Sequence, residues 1–122
     1  MFTLPKTKLL RKRGEFTRIY HDGVSYANRY MVMYVLPEDT PIDKVGFAAG
    51  KKLGCAVVRN RLKRLLRECY RLHRHELSPR YTILLVARHS LVGESYAVAE
   101  KAFLSLAARA KILPKKKFDV KK

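Results

Sequence analysis

Apolar and polar positions change their period several times along this chain. Leu9, Phe16, Ile19 and Tyr20 recur at helical spacing, which predicts a short helix from Leu9 to His21, stopped by Gly23. Tyr30 to Leu36 is rich in apolar and aromatic residues and reads as a strand. Pro37-Glu38-Asp39-Thr40-Pro41 predicts a turn, and Lys44 to Ala49 a second strand, antiparallel to the first. Gly50 and Gly54 bracket the basic pair Lys51-Lys52. The strongest helical pattern runs from Val57 to Leu77. It ends before Ser78-Pro79, because the residue preceding a proline is pushed out of helical space. Tyr81 to Ala87 is a continuous apolar run of β-formers and reads as a buried strand. Ser95 to Leu113 is an Ala-rich amphipathic helix ended by Pro114, with Ala99, Ala102, Phe103, Leu106, Ala110 and Leu113 on its apolar side. The order is α-β-β-α-β-α. The long helix between the second and third strands predicts a crossover, and hence an α+β sandwich with helices packed on a small mixed sheet.

At 122 residues the chain reads as one domain, 1–122, able to bury roughly two thirds of its unfolded surface. The expected ordered core spans about 9–113, with loose basic ends at Met1–Lys8 and Pro114–Lys122. A hydrophobic content of 48% supports a packed core and argues against disorder. Lys and Arg number 27 against 10 acidic residues, a net charge of +17. That excess repels itself in a small globule, and a polyanion such as nucleic acid compensates it. Met1 to Gly14 alternates charged and apolar residues and has no signal-peptide core. The apolar runs Met31–Leu36 and Ile83–Ala87 are too short to span a membrane, so no membrane partner is expected. Cys55 and Cys69 form no CxxC pair and read as reduced thiols of a cytoplasmic protein, Cys69 as a core residue.

Charge changes the picture most in the long helix. With Val58 set at zero and about 100° per residue, Leu62, Leu65, Leu66, Cys69 and Leu72 fall on one arc. Asn60, Lys63, Arg64, Arg67, Arg71 and Arg74 fall on the opposite one, flanked at its start by Arg59 and Arg61. Like charges at i,i+4, such as Lys63 with Arg67, cost a few tenths of a kcal/mol each. A solvated helix face normally mixes signs, whereas Glu68 is the only acid between Lys51 and His75. Arginine predominates, and its planar fork suits phosphate contact and base stacking. Lys51, Lys52, Arg59 and Arg61 are expected to converge where the helix N-terminus adds its own positive end.

Catalytic groups are not evident. The acids are scattered, so no carboxylate cluster for two-metal nuclease chemistry is apparent. His73 and His75 point about 200° apart on a helix and make a poor metal pair. No phosphate-loop or dinucleotide fingerprint is present. Neither catalytic nor metal-ligating residues are assigned.

The run from Lys51 to Glu68, KKLGCAVVRNRLKRLLRE, resembles the signature of the bacterial ribonuclease P protein family, whose hallmark is the Arg59-Asn60-Arg61 core. The tripeptide alone is weak, but the extended pattern is specific. The resemblance covers about Leu9 to Leu113, including Phe16, Gly23, Ala27-Asn28-Arg29, Tyr34 and Val45-Gly46-Phe47. It departs at Ala48-Ala49-Gly50, at Cys55, and at Tyr20, where phenylalanine is common. The resemblance implies a left-handed β-α-β crossover like that of a ribosomal-protein domain, against the usual handedness. It implies an accessory subunit that helps a catalytic RNA remove the 5′ leader of precursor tRNA and lowers the Mg²⁺ requirement. The RNA carries the catalysis and holds the Mg²⁺, no cofactor belongs to the protein chain, and no protein partner is required. It assigns Lys51, Lys52, Arg59, Asn60, Arg61, Lys63, Arg64, Arg67 and Arg71 to the catalytic RNA, and Phe16, Tyr20, Val32 and Tyr34 to a leader-binding cleft. By spacing alone, Phe16 and Tyr20 fit plain core packing as well as base stacking. The alternative function is a structural RNA-binding module such as a ribosomal protein, which needs the cationic stripe but no aromatic cleft.

Overall fold

The apolar run 81–87 organises the structure around itself. The computed structural model describes residues 9–10, 13–39, 44–77 and 80–112. It contains helices α1 (Arg13–Asp22), α2 (Ala56–His73) and α3 (Tyr96–Arg109), and strands β1 (Val24–Ala27), β2 (Met31–Pro37), β3 (Val45–Ala48) and β4 (Tyr81–Ala87). The strands form one mixed sheet in the order β1-β2-β4-β3. β4 is antiparallel to β2 and parallel to β3, so α2 lies in the crossover between two adjacent parallel strands. Ile83, Leu84 and Leu85 are buried to the last few per cent, as expected of a strand with neighbours at both edges and layers on both faces.

The expected α-β-β-α-β-α order holds, with β1 added as a hairpin partner of β2. Two local expectations are corrected. Strands 30–36 and 44–49 do not pair with each other, because β4 inserts between β2 and β3. Leu9 does not begin a helix: it bridges Val45 in parallel fashion, and the Leu10 N–H donates to the Val45 carbonyl at 2.8 Å. That segment satisfies groups on the otherwise open edge of β3, a need that helical periodicity does not report. At its far end α2 tightens into a 3₁₀ turn at Arg74–Glu76, and α3 is capped by Ser95, whose Oγ accepts the Val98 N–H. Ser78-Pro79, Leu113 and the basic ends lie outside the described residues.

Packing divides the sheet by face. Met31, Met33, Val35, Val45, Ile83 and Leu85 point toward α2 and α3, where they meet Leu62, Leu66, Cys69, Tyr70, Phe103 and Leu106. Tyr34, Leu36, Leu84 and Val86 point the other way, toward Leu10, Phe16 and Ile19. This second layer is thin: among the described residues α1 and Leu10 cover it. Two ion pairs fix α1 there: Lys44 Nζ to Glu15 at 2.7 Å, and Arg18 to both oxygens of Glu38 at 3.1 Å. The Glu38 carboxylate also accepts the Thr82 hydroxyl, so the residue expected to be a simple turn acid is a structural one.

These contacts predict a pH dependence. Hydrogen bonding from Arg18, then from Thr82, holds the Glu38 carboxyl below the ordinary glutamate range despite its burial. A depressed folded-state pKa stabilises the fold fully above the unfolded value of about 4.3, and the stabilisation is lost as pH falls through the lower folded value. Glu38→Gln should therefore flatten the acid limb of the stability curve below about pH 4.3. Urea midpoints measured from pH 6 downward would check this, and an unchanged acid limb would refute it.

Candidate nucleic-acid interface

The sheet register builds a cleft floor beside α1. Ser25, Tyr34, Leu84 and Gly46 form one cross-strand row on the thinly covered face, and Ala27, Val32, Val86 and Ala48 form the next. α1 occupies the first row. Phe16 lies over Gly46, where an added Cβ would sit 3.0 Å from the Phe16 ring, and Tyr20 meets Tyr34 edge-on at 4.9 Å between ring centroids. The second row is left partly open: Val32, Val86 and Ala48 are half-buried. The result is an aliphatic floor walled by aromatic rings. Tyr20 is 46% exposed, whereas Phe16 is half-buried and packs on the second core layer. The structure thus separates the four cleft residues: Phe16 is partly core, Tyr20 presents a ring to solvent, and Val32 and Tyr34 share the strand face expected of them.

The cleft runs toward cations. Both parallel strands end at the open row, and each chain continues into exposed basic residues, Arg88 after β4 and Lys51-Lys52 after β3. Arg88 also donates to the Asn28 carbonyl at 3.0 Å and so braces the β1–β2 turn. Asn28 does more than the sequence suggested. Its side chain donates to the Ala102 carbonyl and accepts the Tyr30 and Met31 N–H groups, fastening the hairpin to α3.

On α2 the centre of the apolar arc is buried as expected, with Leu62, Leu66 and Cys69 fully inaccessible, whereas Val58, Leu65 and Leu72 at its edges are half-buried. The opposite arc is not uniform. Asn60, Lys63, Arg64 and Arg67 are exposed, and among the described residues no carboxylate pairs with the last three. Arg71 is held by Glu68 through two hydrogen bonds of 2.7 and 3.0 Å. Arg59 folds back to the Gly54 carbonyl at 3.2 Å, and Arg61 reaches the Glu94 carbonyl at 3.4 Å. The free positive face is therefore the middle of the stripe. Arg67 lies over the Phe47 ring at 5.9 Å, which fixes its guanidinium at the rim of a cleft of about 350 Å³. In that cleft Phe16 and Phe47 face Asn60, Lys63, Arg64 and Arg67.

Among the described residues no three His, Cys, Asp or Glu side chains come together as metal ligands. Burial, then the nearby Glu100, pushes the Cys69 thiol up to about 12, which keeps it protonated at neutral pH. His73 joins Glu100 at 2.7 Å and bridges α2 to α3. No described helix is long and apolar enough to cross a membrane.

Fold and surface define a small basic α+β protein with three exposed cations on one helix face, Lys63, Arg64 and Arg67, that no carboxylate among the described residues pairs. Comparison with known proteins gives the particular family. The family model described as Ribonuclease P matches residues 4–111. The chain is 41% identical over 106 residues to a ribonuclease P protein component from Natranaerobius thermophilus, covering 87% of this chain and 92% of that one. It is 37% identical over 108 residues to one from Clostridioides difficile, covering 88% and 95%. Among solved structures, the ribonuclease P protein of Staphylococcus aureus superposes with a TM-score of 0.78 at 31% identity, covering 89% of this chain and all of that one. The Thermotoga maritima protein gives 0.75 at 27% identity, covering 82% and 94%. The chain belongs to the ribonuclease P protein family, the protein subunit of a tRNA-processing ribonucleoprotein.

Proposed function

We propose that this subunit binds the catalytic RNA through α2 and its approach (Lys51, Lys52, Arg59, Asn60, Arg61, Lys63, Arg64, Arg67 and Arg71) and receives the single-stranded 5′ leader of precursor tRNA on the open row beside α1. The observation that carries this reading is the half-buried Val32–Val86–Ala48 floor next to Tyr20 and Tyr34, at the end of β3, where the chain continues into the exposed Lys51 and Lys52. A duplex needs only a charged surface. A single strand uses ring faces as well, because every base can stack on them. Arg59 and Arg71 already make contacts within the chain and offer the RNA their remaining N–H groups. The protein orients substrate and offsets phosphate repulsion in the cytoplasm, which lowers the Mg²⁺ that the RNA needs. The RNA holds the ions and performs the cut, and no second protein is required.

The test is cleavage of precursor tRNA by a bacterial ribonuclease P RNA at low millimolar Mg²⁺, with the protein absent, present, or carrying Tyr20→Ala. Wild-type protein should stimulate strongly, and protein without RNA should cut nothing. Tyr20→Ala should weaken holoenzyme affinity for leader-bearing tRNA by about 5- to 100-fold, the range for one lost stacking contact, while sparing mature tRNA. Equal loss for both substrates would remove the leader assignment. No stimulation by a folded, RNA-binding protein would favour a structural RNA-binding module.

A further inference from the structure

α2 is a ridge with a groove on each side, and only one of them has a role so far. The second groove, about 410 Å³, lies between α2 and the start of α3 and is lined by Arg61, Arg64, Leu65, Glu68, Leu72 and Tyr96. Arg64 lines both grooves and so stands on the crest between them. Two of the acids near this groove are already engaged, and the carboxylate of a third, Glu94, forms no ion pair with Arg61 or Arg64 among the described residues. Glu68 is bound by Arg71 at both oxygens, and the Tyr96 hydroxyl lies 3.4 Å from Glu100, which also holds His73. What remains for a ligand is an apolar wall with a ring, and two arginines at its mouth. Arg61 spends one long contact on the Glu94 carbonyl and keeps the other N–H groups of its fork. One turn earlier on α2, Val57 is 76% exposed and extends the apolar side.

We propose that this groove takes one unstacked nucleotide of the catalytic RNA, its base against Tyr96 and Leu65 and its phosphate at Arg61 and Arg64. The inference rests on the reading that α2 meets that RNA. Charge complementarity selects the occupant. Two arginines with no ion pair to a carboxylate among the described residues call for an anion, and an apolar wall with an aromatic ring calls for a planar group joined to it. A nucleotide unites both, and the space lies within the range of small-ligand sites. The proposal also gives Arg64 a double role, since its guanidinium can bridge phosphates on either side of the ridge.

The experiment is binding of the full chain to a bacterial ribonuclease P RNA over a series of KCl concentrations. Tyr96→Leu keeps apolar bulk but removes the ring. It should weaken binding about 5- to 100-fold at every salt concentration with an unchanged log–log slope, because stacking releases no counterions. Tyr96→Phe should bind like wild type. Arg61→Ala, a change at an exposed side chain, should flatten the slope by about 0.7–0.9. Wild-type affinity in Tyr96→Leu would overturn the proposal. So would equal losses in Tyr96→Leu and Tyr96→Phe, which would mark the hydroxyl contact with Glu100 as a packing feature. If Tyr96→Leu does not fold, Tyr96→Met takes its place with the same expected loss and the same overturning result, and an unchanged slope in Arg61→Ala overturns the proposal on its own. Failure of the wild type to bind the RNA would instead overturn the parent reading together with this one.

Discussion

Replacing Arg64 and Arg67 together with alanine is expected to weaken binding to ribonuclease P RNA by roughly 100-fold near physiological salt. The magnitude follows from two charge-assisted contacts at about 1.5 kcal/mol each, the low end for such bonds, with 1.4 kcal/mol per tenfold. The same change should flatten the log–log salt dependence by about 1.4–1.8, since each neutralised phosphate contributes about 0.7–0.9. These two residues are chosen over Arg59, Arg61 and Arg71 because the structure leaves them without an intramolecular acceptor among the described residues. Arg67→Ala also uncovers Phe47, a contact of about 0.5–1 kcal/mol at an exposed site, so a small loss of stability accompanies the larger loss of affinity. Wild-type affinity with a wild-type slope would mean that the RNA docks elsewhere.

One residue away on the same helix, Leu66→Ala should do the reverse. Leu66 is fully buried in the layer between α2 and the sheet. Truncating a buried leucine costs about 2–5 kcal/mol, the spread reflecting how far the cavity collapses. Against a total stability of about 5–15 kcal/mol, that is a large fraction, and a fall in Tm on the order of 10 °C is expected. The salt slope of RNA binding by the folded fraction should stay as in the wild type, because no cation is lost. A phosphate-rich RNA should also raise the Tm of both forms by linkage, since it binds the folded state. A Tm within about 2 °C of wild type would contradict the packing of α2 on the sheet. Alternation of fold-critical and RNA-critical residues at adjacent positions is what a helix with one apolar and one cationic face requires.

Much of the candidate site is legible in the sequence. Assigning Asn60, Lys63, Arg64 and Arg67 to one helix face needs only the helical repeat, and burial of Leu62, Leu66 and Cys69 agrees with it. Strand 81–87 was read to the residue, because an unbroken β-forming run between a proline and a polar stretch admits little else. Other features were out of reach. The Arg18–Glu38–Thr82 cluster joins residues far apart in sequence, so Glu38 looked like any acid beside a proline. Asn28 gave no local sign that its amide would fasten a hairpin to α3.

The sequence by itself determined the three helices, three of the four strands, the polarity of each helix face and the one-signed charge of α2. These properties depend on neighbours within one or two turns, and their periods survive in one dimension. Only the tertiary structure decided that β4 separates β2 from β3, that α1 covers one row of the sheet and leaves the next open, and which arginines stay free. The physical reason is common to all three. An apolar strand is indifferent to which apolar strand lies beside it, and a cation to which carboxylate it meets, until the rest of the chain fixes the distances.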